Sequence, residues 1–160
     1  MKIEIDAGQQ ELILRDATGK ALHKYPVSTS KNGLGEKHGS FCTPRGRHIV
    51  RAKIGAGQPL NAVFVRRRPT GELWTPALHA SYPGRDWILT RILWLSGCEP
   101  GFNRMGGVDT MRRYIYIHGA PEQAEMGRPA SIGCVRMRGR DIVELFDLVA
   151  PYAPVEIKKG

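Results

Sequence analysis

A cysteine and a histidine, each next to a glycine, are the residues of this chain best suited to chemistry. His118-Gly119 comes first, and after a loop the chain reads Ser131-Ile132-Gly133-Cys134-Val135-Arg136. A cysteine nucleophile needs a base near its sulfur, N–H groups free to hold an oxyanion, and a small neighbour that lets the substrate approach. His118 could be the base, and the N–H groups of Gly133 and Cys134 could face one cavity. We therefore predict nucleophilic catalysis by Cys134.

The competing interpretation is that Cys134 is a small buried hydrophobe, which is what most cysteines beside a glycine are. The combination of residues counts against it. Because glycine is a minority residue and cysteine is much rarer, Ser-x-Gly-Cys is uncommon in a chain of this length. A His-Gly pair at the end of a predicted strand makes coincidence rarer still.

Three further residues are candidates for substrate binding. Arg136 lies two positions after Cys134, so on an extended strand it shares the side of the sulfur, where it could favour the thiolate or bind a carboxylate. Ser131 opens the cysteine segment and is also assigned to substrate binding. Arg91 is a charge inside the apolar run Thr90-Arg91-Ile92-Leu93-Trp94-Leu95. It is either paired in the core or faces the cleft and holds a substrate carboxylate.

Hydropathy patterns predict a mainly β fold that positions these residues. Alternating or compact apolar segments predict strands near 3–5, 12–14, 21–27, 48–53, 62–66, 87–95, 113–118 and 154–158, although 87–95 also fits a short helix. Only one good helix is predicted, with Asp141 as N-cap, apolar residues from 142 to 149 at helical spacing, and Pro151 after its end. No repeat or linker divides residues 1–160, so we expect one domain.

The charge of the chain implies anionic partners. Its 160 residues carry a net charge of +9, with 16 arginines and 8 lysines. Nucleic acid, an anionic membrane surface, a cell-wall polymer and a carboxylate-bearing substrate all fit such a balance. The arginine excess favours planar, bidentate recognition of carboxylate or phosphate. The clusters at 66–68 and 112–113 are most simply solvated faces that could also bind an anionic polymer.

The remaining cysteines and histidines do not suggest a metal site. Cys42, Cys98 and Cys134 form no C-x-x-C, and the other histidines are scattered, so we expect no metal and no cofactor. Cys42 and Cys98 are either a disulfide or two free thiols. The N-terminus shows no signal peptide, and no apolar run is long enough to span a membrane.

At the cysteine segment the sequence resembles a bacterial family, the L,D-transpeptidase catalytic domain of the YkuD type. That family has His-Gly at a strand end, a variable loop, then Ser/Thr-His-Gly-Cys, a hydrophobic residue, and Arg or Asn. The matching residues here are His118-Gly119 and the segment 131–136. Ile132 departs from the pattern, because the family usually has His there. The resemblance implies a β-sandwich-like domain with one α-helix in the C-terminal half, the general base being His118.

The resemblance also implies a reaction. Cys134 would attack the carbonyl of the third residue of a peptidoglycan stem tetrapeptide and expel the terminal D-Ala. The acyl group of the resulting thioester would then pass to an acceptor amine. His118 would move the proton, oriented by the backbone carbonyl of Gly119, and the Gly133 N–H would hold the oxyanion. Carbapenem β-lactams are the implied inhibitors, the periplasm or cell envelope is the implied location, and a monomer is expected.

Two other functions compete with acyl transfer to an amine. If water were the acceptor, the same site would be an L,D-carboxypeptidase or a cysteine peptidase on stem peptides. If Ile132 marked a decayed site, the basic surface would make the chain a non-catalytic wall-binding module. A nucleic-acid-binding module is disfavoured, because the aromatic-studded basic sheet of RNA-binding domains is absent.

Overall fold

Ten strands and two helices make up the computed structural model, which describes all 160 residues. The strands are β1 (Lys2–Asp6), β2 (Glu11–Arg15), β3 (Ala21–Ser28), β4 (Gly46–Ile54), β5 (Ala62–Val65), β6 (Arg68–Leu73), β7 (Ile88–Gly97), β8 (Tyr116–Ala120), β9 (Val135–Arg138) and β10 (Pro154–Lys158). The helices are α1 (Pro76–Ser81) and α2 (Gly139–Leu148). The predicted mainly β architecture is confirmed.

The sheet closes on itself. The strand order is β4-β10-β1-β2-β3-β9-β8-β7-β5-β6, and β4 also pairs with β7. The hairpin β5–β6 therefore projects from a closed ring made by the other strands. Only the pairs β1–β10 and β8–β9 are parallel. Because a parallel pair needs a long connection, the loop between β8 and β9 brings distant parts of the chain together. The result is the barrel-like β-sandwich that the sequence predicted.

The core fills the inside of this ring. Strands β1 and β2 each alternate partly buried with fully buried residues, as strands with one core face do. Helix α2 contributes Ile142, Leu145 and Phe146 to the same apolar cluster and contacts β7, β8 and β9. The helix therefore supports the two strands that carry the histidine and cysteine.

Several predicted boundaries are wrong by a few residues. Helix α2 begins at Gly139 with Arg138 as N-cap, so Asp141 lies in the first turn, where a carboxylate favours the helix dipole. His118 lies in the middle of β8 rather than at a strand end. The run at 87–95 forms a strand, as predicted, and β7 extends it to Gly97.

Two elements were not predicted. Helix α1 is a six-residue helix whose N-cap, Thr75, accepts a hydrogen bond from the Leu78 N–H, with proline following it at the first turn. Strand β6 follows a turn at Arg66 and Arg67, and its Pro69 is tolerated because β6 is an edge strand. The strand predicted at 62–66 has no predicted partner after it, whereas the chain turns back and pairs with β5.

Candidate active site

The register of β8 and β9 brings the predicted nucleophile and base together. His118 pairs with Arg136 across the two parallel strands. Two residues earlier on each strand, the same register places Cys134 opposite Tyr116. The Tyr116 N–H donates to the Cys134 Sγ at 3.3 Å. Side chains two residues apart on a strand share a face. Cys134, His118 and Arg136 therefore lie on one face of the sheet, as the sequence predicted for Arg136 and the sulfur.

The histidine is held in a single tautomer. His118 is completely buried, and its Nδ1 lies 2.7 Å from the backbone oxygen of Gly119. Because a carbonyl oxygen only accepts hydrogen bonds, Nδ1 carries the proton and Nε2 carries the lone pair. Nε2 has no hydrogen-bond partner. The ring therefore presents an unengaged basic nitrogen inside the protein.

Burial also sets the charge of this ring. Loss of solvent lowers the pKa of His118 below its usual value; the carboxylate of Asp86 and the Gly119 carbonyl oppose this, and the charge of Arg136 adds to it. The imidazole is therefore neutral at neutral pH, which is the form that can accept a proton.

The cysteine rests as a thiol. Cys134 is partly exposed to the cleft, and its Sγ–H donates to the carbonyl oxygen of Tyr114 at 3.5 Å. Burial of the sulfur raises the pKa of Cys134 to about 12, although the Tyr116 N–H and the charges of Arg136 and Arg113 favour the thiolate. The Cys134 proton must therefore be removed during the attack itself, and a neutral base on the same face suits that step.

The turn before Cys134 is tied by the Ser131 hydroxyl. Ser131 is buried; its Oγ donates to the carbonyl oxygen of Cys134 at 2.6 Å and accepts the Gly133 N–H at 3.2 Å. Gly133 has a φ of +136°, and a Cβ there would lie 3.2 Å from the Ile115 side chain. Only glycine suits that conformation and space. The small residue before the cysteine is therefore required by the turn as well as by substrate access.

These contacts correct two of the predicted roles. The Gly133 N–H is not a free oxyanion donor, because Ser131 accepts it. The Ser131 hydroxyl does not face the substrate, because both of its hydrogen bonds lie within the turn. The N–H groups of Ile132 and Cys134 have no hydrogen-bond partner, so a backbone donor remains available at the nucleophile itself.

The two arginines assigned to substrate binding have different surroundings. Arg136 lies on the cysteine face, and its Nη2 forms an ion pair with Asp86 at 2.9 Å. Of the two predicted alternatives, Arg91 takes the core position: it is buried against the Phe146 ring of α2, and its Nη1 donates to the carbonyl oxygens of Gln58 and Thr90, each at 2.7 Å. Arg91 therefore belongs to the packing behind the sheet, and it does not line the cleft.

The cleft that contains the sulfur has a volume of about 400 Å³. Its lining includes residues from five separate segments: Phe41, Arg66, Arg67, Asp86, Ile88, Arg113, Tyr114, Ile115, Tyr116, Ile132 and Cys134. Ile132, which stands where the resembled family has histidine, is exposed at this cleft. Asp86 is the only acidic residue of the lining, and Arg136 neutralises it.

Arg113 fixes one wall of this cleft. Its guanidinium donates to the carbonyl oxygens of Cys42 at 2.6 Å and Gly35 at 3.2 Å, and to Ser40 Oγ at 3.3 Å. The sequence predicts solvated faces at 66–68 and 112–113, whereas Arg113 is bound to backbone carbonyls. The carbonyls that Arg113 binds are more than 70 residues away in sequence, so no local pattern indicates these contacts.

Cys42 and Cys98 are free thiols in the structure, so they form no disulfide. No group of three or more histidine, cysteine, aspartate or glutamate side chains is arranged to hold a metal ion. None of the helices has the length and apolar character that crossing a membrane would need.

Comparison with known proteins identifies the family. The model of the L,D-transpeptidase catalytic domain family, YkuD, matches residues 1–157. The chain belongs to this family, as its sequence motif indicated. A comparison with curated protein sequences gives no significant match.

Solved structures share the fold at low sequence identity. An L,D-transpeptidase from Mycobacterium smegmatis has a TM-score of 0.59 and 17% identity, covering 98% of this chain and 57% of that one. L,D-transpeptidase 3 from Mycobacterium tuberculosis with a faropenem-derived adduct has a TM-score of 0.58 and 14% identity, covering 98% and 59%. An L,D-transpeptidase in complex with imipenem has a TM-score of 0.58 and 18% identity, covering 98% and 57%. This chain spans less than two thirds of each of these proteins.

Proposed function

We propose that this chain is a cysteine acyltransferase that acts on peptidoglycan stem tetrapeptides through a thioester on Cys134. One observation carries the proposal. His118 has its Nδ1–H fixed by the Gly119 carbonyl and its Nε2 unpartnered, and it shares one face of two neighbouring strands with Cys134. A base with a fixed tautomer on the same face as a thiol is an arrangement that suits cysteine acyl transfer. We further propose that residues 1–160 act as one catalytic domain.

In the first half of the reaction, His118 Nε2 takes the proton of the Cys134 thiol as the sulfur attacks the carbonyl carbon of the third stem residue. The C–S bond forms, and the carbonyl oxygen becomes an oxyanion. The bond to the nitrogen of the terminal D-alanine then breaks, and His118 returns its proton to that leaving amine. The products are free D-alanine and a thioester on Cys134.

In the second half, an acceptor amine attacks the thioester carbonyl. His118 removes a proton from the amine, the new C–N bond forms, the C–S bond breaks, and the proton passes to the departing sulfur. Crosslinks and attachments of other amines to the wall are both products of this step. If water attacks instead, the same site releases a tripeptide.

A backbone donor and two arginine charges near the sulfur support this chemistry. The unpartnered Cys134 N–H can donate to the oxyanion as it develops, whereas the Gly133 N–H remains bound to Ser131. The charges of Arg113 and Arg136 favour the thiolate that departs in the second half. The Asp86 carboxylate holds the Arg136 guanidinium on the cysteine face.

The implied partners and location follow from the family. Related folds occur with imipenem and with a faropenem-derived adduct, so we propose carbapenem-type β-lactams as inhibitors that acylate Cys134. We propose the cell envelope as the place of action. The net charge of +9 suits an anionic wall polymer.

Product analysis with a stem tetrapeptide tests the proposal and separates its outcomes. The protein is incubated with the tetrapeptide, with and without a stem-peptide amine acceptor, and products are identified by mass spectrometry. Acyl transfer predicts an amide-linked product that requires both the acceptor and Cys134. Tripeptide as the sole product, with or without acceptor, would assign the site to a carboxypeptidase. Release of no D-alanine by the folded protein would contradict both and favour a wall-binding module.

A further inference from the structure

The cleft lining contains Arg67, an arginine with no acidic partner. The Arg67 guanidinium carbon lies 4.9 Å from the centre of the Trp94 ring and 4.8 Å from that of Tyr114, and its Nη1 donates to the Tyr116 hydroxyl at 3.0 Å. No carboxylate lies within 4.0 Å of Arg67, and its Nε and Nη2 make no hydrogen bond within the chain. The aromatic rings therefore hold a charged, planar donor that is left with free N–H groups.

The backbone under Arg67 is unusual for the residues it carries. Arg66 and Arg67 have φ values of +50° and +63° and form the two-residue turn between the paired residues Val65 and Arg68. Hairpin turns with positive φ at both positions strongly prefer Asn-Gly or Asp-Gly, because a Cβ is unfavourable there. Backbone positions that keep an unfavourable residue cluster at functional sites. The turn therefore holds arginines despite its conformation.

Arg67 and the Cys134 sulfur share two tyrosines. The Tyr116 N–H donates to Sγ while the hydroxyl of the same residue accepts from Arg67. The Tyr114 carbonyl accepts from Sγ–H while its ring stacks on Arg67. Tyr114 and Tyr116 therefore link the free N–H groups of Arg67 to the Cys134 sulfur, and both residues line the same cleft.

The charge around this position favours an anion. The cleft lining contains Arg66, Arg67 and Arg113, and its one acidic residue, Asp86, is already paired with Arg136. A stacked guanidinium binds carboxylates through parallel N–H···O bonds, which a compact ammonium group does not reproduce.

We propose that Arg67, held by Trp94, Tyr114 and Tyr116, binds a carboxylate of the acyl donor and thereby selects donors that carry a free carboxylate next to the reacting carbonyl. This inference rests on the proposed function. Two carboxylates of a stem tetrapeptide meet the description: the C-terminal one of the leaving D-alanine and, where the third residue is a diamino diacid, the one on its side chain.

Three synthetic donors distinguish these sources: the parent tetrapeptide, the same peptide with the side-chain carboxylate of residue three amidated, and the same peptide with a C-terminal amide. Acylation of Cys134 is followed by intact mass. We expect the unmodified protein to prefer the parent over one of the two amides by about 10- to 100-fold, the range for charge-assisted hydrogen bonds. The amide that acylates Cys134 more slowly than the parent peptide identifies the carboxylate that Arg67 binds.

Variants of the turn test whether Arg67 causes the preference. Arg67→Met keeps an apolar stem between the rings but removes the donors, so the rate on the parent peptide divided by the rate on the discriminated amide should fall close to one. Arg67→Lys should restore only part of the preference. Arg68→Met is the matched control, because Arg68 does not line the cleft, and it should keep the full preference. Equal rates on all three donors in the unmodified protein, or an equal loss on all of them in Arg67→Met, would overturn the inference.

Binding to Cys134→Ala separates this inference from the proposed function. Calorimetry with the three peptides measures affinity without acylation, and the same peptide preference should appear and should disappear on adding Arg67→Met. If the peptides acylate Cys134 without any carboxylate preference, only the Arg67 inference fails. If none of them acylates Cys134 while the binding preference depends on Arg67, the proposed function fails and the carboxylate subsite stands.

Discussion

Replacing Ser131 by alanine should loosen the turn that carries the nucleophile. The Ser131 hydroxyl is buried and makes two hydrogen bonds, to the Cys134 carbonyl oxygen at 2.6 Å and from the Gly133 N–H at 3.2 Å. Each such bond contributes about 0.5–1.5 kcal/mol, and a buried polar group left without a partner costs more. We therefore expect Ser131→Ala to lower the free energy of unfolding by about 2–3 kcal/mol.

Ser28 provides a matched control in the same region. It is also fully buried, it pairs with Arg136 across β3 and β9, and its hydroxyl has no hydrogen-bond partner. Ser28→Ala removes the same atom but no hydrogen bond, so we expect the free energy of unfolding to change by less than about 0.5 kcal/mol or to rise. Urea denaturation of both variants under one set of conditions gives the comparison.

Kinetics then decide what the Ser131 hydroxyl does. If it positions Cys134, Ser131→Ala should lower the saturating rate of acylation by a carbapenem and leave the half-saturating concentration near its original value. An increase confined to the half-saturating concentration would indicate that the hydroxyl binds substrate instead. Equal unfolding free energies for Ser131→Ala and Ser28→Ala would refute the reasoning about the turn.

Three further predictions follow from buried groups. Because burial lowers the pKa of His118, the acylation rate should stay level from pH 8 to 7 and fall only below pH 6.5. His118→Gln should slow acylation by about 10²–10⁴-fold in a folded protein. A decline in rate already between pH 8 and 7 would argue against a neutral base. Burial lowers the pKa of His48 from 6.5 to about 4, so the unfolded state binds a proton that the folded state does not as the pH falls through this window. The free energy of unfolding should therefore fall by up to roughly 3 kcal/mol between pH 6.5 and 4. Urea denaturation of His48→Asn should show a weaker dependence of this free energy on pH. An equally strong dependence in the variant would exclude His48 as the cause. Arg91→Met should leave carbapenem acylation within twofold and lower the free energy of unfolding by about 1–2 kcal/mol, since two carbonyls lose their donor; slowed acylation at unchanged stability would return Arg91 to the cleft.

Where the sequence alternates strictly, it predicts the strands well. In β1 and β2 one face packs in the core and the other is partly exposed, so the hydrophobic period of two is visible in the chain. Strand β8 is buried on both faces, and its residues therefore show no alternation that could mark its ends. That is why Tyr114, which has a φ of +57° and lies outside the strand, was included in it while Ala120 was not.

Arg91 shows why the sequence did not settle which face a residue takes. The pairing of β7 with β8 shifts register between Leu89 and Ile92, so Arg91 lies within an irregularity. An extra residue at such a point moves every later side chain to the opposite face. Counting by twos from either end of the run therefore gives conflicting positions for Arg91, and only the folded pairing decides.

The candidate site was predictable to the extent that it lies within one segment. Two adjacent strands carry or flank the three residues Cys134, His118 and Arg136. Their shared face follows from the geometry of an extended chain. The hydrogen bonds of Ser131 depend on the shape of a turn, and the stacking of Arg67 depends on a hairpin 47 residues before Tyr114. Contacts between such distant segments leave no local pattern in the sequence.

The central claim is that Cys134 forms the acyl-enzyme. The most direct test is the intact mass of the protein after incubation with imipenem, followed by peptide mapping, for the unmodified chain and for Cys134→Ala. The account predicts one added imipenem per chain, located on Cys134, and no addition to folded Cys134→Ala. An adduct on Cys42 or Cys98, or an unmodified Cys134 in the folded protein, would contradict it.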